Sequence, residues 1–123
     1  MSEEVTLYLR PKTINPAVDT LSDTTYKFIV KDASETPVDF TGYTARMQVR
    51  PYKGATALYD ELTTENGRLE LDAEGGITIR FPAGVTAEFT FRRAVYDIIV
   101  TAPNESQYRV AEGVVMFNKG VTV

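Results

Sequence analysis

The carboxylates Glu70, Asp72 and Glu74 come nearest, in type and spacing, to residues that do chemistry. They share one parity, so a strand running on to residue 74 projects all three from one face, and oxygen ligands clustered in that way hold calcium. The spacing lacks the glycine-turned loop of dedicated calcium motifs, which makes a solvated strand face the plainer reading. Asp19 and Asp23 invite the same two readings. Gly75-Gly76 has neither the lysine nor the following serine or threonine of a phosphate loop and reads as a turn. No sign appears of the cleft and controlled separation that a pair of glycosidic carboxylates needs. Arg92-Arg93 offers contact with an acidic partner surface, although a basic pair ahead of a strand is commonly solvated.

Composition narrows the chemistry further. The chain of 123 residues has no histidine and no cysteine. Triads, zinc sites, thiolate nucleophiles and disulfide frameworks therefore lose their usual members, and no enzyme activity, cofactor or metal is expected. The formal net charge is −4, with 17 acidic and 13 basic residues interspersed. That balance argues against a nucleic-acid partner held by phosphate neutralisation. Met1-Ser2-Glu3-Glu4 is polar and acidic with no apolar run behind it, and no stretch approaches the ~20 apolar residues of a membrane helix. The expectation is a domain made in the cytoplasm, with no secretory signal and no membrane partner.

Seven tyrosines and no tryptophan form another signal. Tyr26, Tyr43 and Tyr96 fall on predicted core faces, whereas Tyr8, Tyr52 and Tyr59 do not and suit a binding surface. Tyrosine is also common in strands generally.

The elements that must carry these residues are strands. The clearest signal lies at Arg92 to Val123, where two runs rich in β-branched and aromatic residues flank Ala102-Pro103-Asn104-Glu105-Ser106, a hairpin pattern. Its first run puts Tyr96, Ile98 and Val100 on the core face and Val95, Asp97 and Ile99 on the other. The isolated Gly113 predicts a bulge or a close backbone approach. Earlier, Val5, Leu7 and Leu9 alternate in a short first strand, Tyr26, Phe28 and Val30 in a second, and Tyr43, Ala45, Met47 and Val49 in a third, against Thr44, Arg46, Gln48 and Arg50. Ala57 to Leu62 predicts a short strand or one helical turn. Asn66-Gly67 and Gly75-Gly76 are turns around Leu69 to Leu71 and ahead of Ile77 to Phe81. Thr86 to Phe89 predicts one helical turn with Thr86 near its start.

Between these strands, residues from about 11 to 25 show Pro16, two Asp and many Thr and Ser without an apolar period. They predict a long loop or extended arm, either laid along a sheet edge or ordered on a partner. The whole reads as one all-β domain: an antiparallel, immunoglobulin-like β-sandwich of about seven or eight strands with at most one or two short helical turns.

The order Val38-Asp39-Phe40-Thr41-Gly42-Tyr43 before an alternating strand ending at Arg50, Asn66-Gly67-Arg68, Val95-Tyr96-Asp97-Ile98 and Glu112-Gly113-Val114-Val115 resembles small β-sandwich proteins of tailed bacteriophages. These include the N-terminal domains of some baseplate proteins. The likeness spans residues 25 to 123, with Phe40 where leucine is usual and a close at Val121-Thr122-Val123 that only approximates the family's. It implies a non-enzymatic structural component of the virion, with other virion proteins as partners and a homo-oligomer in the particle. A tail or baseplate position comes first, and a head decoration or head-to-tail neck position second. The family carries no catalytic residues. Candidate partner contacts are Lys12, Ile14, Val18 and Leu21 on the arm and the outward Val95 and Ile99, because apolar side chains opposite the core mark an interface when they cluster. A function of another class, a carbohydrate-binding module, needs a planar aromatic platform among polar neighbours, a role open to the tyrosines.

Overall fold

The computed structural model describes residues 12–118. The first predicted strand, Val5 to Leu9, lies outside them, as do Tyr8 and the closing Val121-Thr122-Val123. The elements run β1 (Lys12–Thr13), β2 (Ala17–Asp19), β3 (Thr24–Ile29), β4 (Thr44–Arg50), β5 (Asp60–Thr63), β6 (Leu69–Leu71), β7 (Gly76–Phe81), α1 (Ala83–Thr86), β8 (Arg93–Thr101) and β9 (Gln107–Asn118). They form two sheets. The larger is ordered β1-β9-β8-β4-β5, with β2 also on β9, and the smaller β3-β7-β6. The trio β3-β7-β6 opposed to β9-β8-β4 is the arrangement of an immunoglobulin-like sandwich, here with β5 added beside β4.

Alternation places the core. In β4, Ala45, Met47 and Val49 are buried, while Thr44 and Arg46 are exposed. Strand β8 buries Ala94, Tyr96, Ile98 and Val100, and β7 buries Ile77, Ile79 and Phe81 from the facing sheet. Each fully buried Val, Ile, Met or Phe among them contributes about 1.5–3 kcal/mol relative to exposure, so these three strands supply much of the driving force.

The structure corrects two expectations and decides between stated alternatives in two more. The first concerns the arm. Residues 13 to 20 alternate between exposed and buried, with Ile14, Pro16, Val18 and Thr20 inward. Strands β1 and β2 pair with β9 in parallel, Lys12 opposite Ala111 and Val18 opposite Phe117, so this edge of the larger sheet is not antiparallel. A period of two was present but disguised, because proline and threonine hold two of the four inward positions.

The second decides between the two alternatives open at Gly113, a bulge or a close backbone approach. The register of β8 on β9 shifts between Ile98 and Ile99, which face Ala111 and Arg109, leaving Val110 as the bulged residue. Gly113 serves the close approach instead: a Cβ there would sit 2.2 Å from the Ile14 carbonyl oxygen, and its φ is +157°. Only a residue without a side chain lets the arm lie against β9 at this point.

Third, the helical turn is Ala83–Thr86, and Thr86 ends it rather than starting it. Pro82, with φ fixed at −65°, leads in. The first amide, of Ala83, donates to Asp23 Oδ1 at 2.8 Å, a cap supplied from sixty residues away that no local pattern announces. The buried Thr86 hydroxyl lies within reach of the Thr20 and Pro82 carbonyls, at 3.2 and 3.3 Å, and fastens the end of the arm.

Fourth, the ambiguous segment at 57 to 62 resolves into loop followed by β5, whose strand begins at Asp60. The Asn66-Gly67 turn then carries the chain from one sheet to the other. Asn66 Oδ1 accepts from the amides of Thr63 and Arg68, and Asn66 Nδ2 donates to the Glu61 carbonyl. Arg68 locks this crossing. Its guanidinium pairs with Asp60 at 2.7 Å, both side chains being nearly buried, and its Nε donates to the Arg80 carbonyl at 2.8 Å.

Candidate functional site

The period of two that fills the core also decides what the larger sheet shows on its other side. Gln48 and Arg50 from β4, Val95, Asp97 and Ile99 from β8, and Arg109, Glu112 and Val114 from β9 share that outer face. The register sets their neighbours. Val95 lies between Arg50 and Val114, Asp97 between Gln48 and Glu112, and Ile99 between Arg46 and Arg109.

Two carboxylates directly opposite each other cost stability. Asp97 and Glu112 stand so, and one cation relieves them: Arg109 Nε lies 3.5 Å from Asp97 Oδ2, both side chains partly exposed. Such an exposed pair contributes little. The Glu112 carboxylate has no hydrogen bond or ion pair among the described residues, although its backbone carbonyl accepts the Ile14 amide.

Over one end of this face folds the loop from Pro51 to Tyr59, and Arg50 holds it there. The guanidinium donates to the carbonyls of Ala55, Thr56 and Ala57 at 3.0, 3.1 and 3.3 Å and to Gln48 Oε1 at 2.9 Å. Gln48 Nε2 in turn donates to Glu61 on β5 at 2.8 Å. A charge satisfied by several carbonyls at once fixes a loop far more firmly than one surface ion pair. The loop thereby carries Tyr52, 65% exposed, to the rim of a groove of about 590 Å³, with Thr13 of the arm on the rim as well. Gln48, Arg50, Asp97, Arg109 and Glu112 line it, with Val95 and Val114 among the apolar surface. A smaller hollow of about 180 Å³ lies around Arg46, Ile99 and Gln107 on the same sheet.

The structure disperses several residues that the sequence brings together. Ile14 and Val18, expected as partner contacts, are 7% and 1% exposed and belong to the chain's own core, which removes them from that role. Lys12 is a backbone partner of Ala111 in β1. Leu21 remains outward, at 43% exposed. Val95 and Ile99 are half-buried on the outer face, on either side of Asp97.

The carboxylates at 70, 72 and 74 do not converge. Strand β6 ends at Leu71, and Asp72 turns to accept the amides of Glu74 and Gly76, each at 2.8 Å, with Lys27 at 3.3 Å. Those amides hold the Asp72 carboxyl below its usual range. Glu70 pairs with Arg80. Asp19 accepts the Leu21 amide and Asp23 that of Ala83. All five are turn, cap or surface groups, Glu74 being exposed in the turn after β6. The outward parity of Gln48 and Arg50 is visible in the sequence, whereas the loop folded over them and the grouping with Arg109 and Glu112 follow only from sheet order.

Tyr96 is the one strongly shifted group nearby. Its ring is buried from the core side, its hydroxyl donates to the Ile14 carbonyl, and burial, with lesser effects from Tyr26 and Glu112, pushes its phenol well above the ordinary value of 10.0. It joins core, arm and the strands beneath the groove.

No protein-family model and no curated protein sequence matches the chain. Among solved structures it is similar to Drosophila OTK, extracellular domains 3-5, at 12% identity and a TM-score of 0.38, over 95% of this chain and 37% of that one. The chain thus spans little more than a third of that structure, and a likeness this loose carries no functional information.

Proposed function

We propose that the chain is a non-enzymatic structural subunit of a bacteriophage virion that docks neighbouring virion proteins, with a tail or baseplate position ahead of a head-decoration or neck position. The sequence resemblance is its source. The observation that supports it is the outer side of the larger sheet, where half-buried Val95 and Ile99 accompany Met116, 48% exposed. Apolar side chains on the side of a sheet away from its own core suit burial against a neighbour, and the buried core behind them gives a rigid docking surface. A docking module needs no acid, base or nucleophile, and Asp19, Asp23, Asp60, Glu70 and Asp72 are engaged in turns, a helix cap and ion pairs.

The test is assembly. Wild-type protein, Ile99→Glu and Met116→Glu are compared for incorporation into particles in a complementation experiment, with light scattering after size exclusion reporting self-association. Incorporation of the wild type and loss of both variants, each still folded by circular dichroism, is expected. Equal incorporation of all three, or absence of the wild type from particles, overturns the reading.

A further inference from the structure

We propose that the groove under the Pro51 to Tyr59 loop is a saccharide site for an uncharged mono- or disaccharide, with Tyr52 as stacking platform and Gln48, Asp97, Arg109 and Glu112 as hydroxyl partners. This site shares Val95 with the docking face above but does not rest on that reading.

Size comes first. A volume of about 590 Å³ lies within the range of small-molecule sites. The groove lies on a sheet, between a pinned loop and the arm, so its floor is rigid.

The polar side chains then select the ligand class. An amide, two carboxylates and a guanidinium each present coplanar donors or acceptors in pairs. Sugar hydroxyls on adjacent ring carbons both donate and accept, and they meet such pairs two at a time. Capacity is available: among the described residues the Glu112 carboxylate has no hydrogen-bond or ion-pair partner, and the Arg109 guanidinium engages Asp97 through Nε. Val95 and Val114 supply apolar surface for the C–H face of a ring.

Charge argues for a neutral ligand. Asp97 and Glu112 sit beside Arg109, with Lys53 at the rim, while the Arg50 charge is taken up by three carbonyls and Gln48. With the two signs interleaved, an ion of either sign meets its like within the groove, and a neutral polyhydroxy compound does not. The aromatic is also placed in advance. Tyr52 rides on a loop whose backbone is fixed by Arg50, so side-chain rotation is the freedom left for binding to remove.

The probes are D-glucose, D-galactose, N-acetyl-D-glucosamine, L-rhamnose, lactose and cellobiose, with N-acetylneuraminic acid as the charged comparison. Each is titrated into isotope-labelled protein while backbone and side-chain amide resonances are followed. At least one neutral sugar is expected to move the signals of Gln48, Tyr52 and Arg109 together. Tyr52→Ala, at an exposed position where the fold is not at risk, weakens that binding roughly tenfold or more. Glu112→Gln keeps the planar acceptor and changes it far less than Glu112→Ala. No movement with any neutral sugar, undiminished binding by Tyr52→Ala, or stronger binding of the charged sugar overturns the proposal. Met116→Glu, which probes assembly away from the groove lining, leaves sugar binding unchanged, so the two readings fail independently.

Discussion

The β8–β9 hairpin and the arm that lies along β9 are both extended chain with one face inward, but they are held by different means. Strand β8 buries Ala94, Tyr96, Ile98 and Val100 and pairs with β9 at nine positions on either side of one bulge. Its hold is distributed over apolar area, and loss of one contact leaves the others in place. The arm buries Ile14 and Val18 and otherwise depends on particular points. The Ile14 amide donates to Glu112, the Val114 amide to Asn15 Oδ1, the Met116 amide to Pro16 and the Thr20 amide to Asn118. Asn15 replaces a ladder carbonyl with its side chain where the arm arches between β1 and β2, over the residue that has no side chain, Gly113. The comparison teaches that a strand can be specified by the shape of its slot as well as by its own apolar pattern.

Three changes test that contrast, in descending order of effect. Tyr96 serves both regions, with its ring in the core and its hydroxyl on the Ile14 carbonyl. Tyr96→Ala is expected to cost about 3–5 kcal/mol in urea unfolding, the range for deleting a large buried aromatic. A loss under about 1 kcal/mol would show that the core closes over the site and that the ring does not organise it.

Gly113→Ala separates the regions. The added Cβ, 2.2 Å from the Ile14 oxygen, meets backbone that cannot swing aside as a flexible side chain would. A cost of about 1–3 kcal/mol is expected, as for other overpacked sites. The sharper readout is hydrogen exchange: the amides of Ile14 and Thr20 should lose protection while those at the centre of β8 keep theirs. Uniform loss across both would mean that arm and hairpin form one cooperative unit.

This contrast also explains what the sequence makes legible. The hairpin, the third predicted strand and the burial of Tyr96 can be read from alternation because Tyr, Ile, Val and Met occupy the inward positions. The arm alternates as faithfully, through Ile14, Pro16, Val18 and Thr20, but half of those residues carry no apolar signal. Its docking depends on Gly113, a hundred residues away in sequence, and the cap on α1 depends on Asp23 for a similar reason. The outward face was legible at Val95 and Ile99. The groove was not, because it arises where β4, β8 and β9 lie side by side and where the Arg50 guanidinium gathers a loop through backbone carbonyls. A charge of that kind looks, in sequence, like any polar position on a half-buried strand.

The smallest expected effect isolates the hydroxyl that links the two regions. Tyr96→Phe keeps the ring and removes the donor to the Ile14 carbonyl, at a cost near neutral pH of about 1 kcal/mol. The pH dependence separates this contribution from packing. Burial raises the folded-state phenol of Tyr96 above 10.0, and burial together with Tyr108 and Asp39 raises that of Tyr43. A group whose pKa is higher folded than unfolded contributes stability that is fully present below the unfolded value and is lost as pH rises through the folded one. Wild-type protein should therefore lose stability progressively above about pH 10. Tyr96→Phe should decline less steeply, since only the Tyr43 share remains of the two. Urea unfolding at a series of alkaline pH values measures both slopes. Parallel decline of the two proteins would mean that the Tyr96 hydroxyl is open to solvent, and that the arm is held without it.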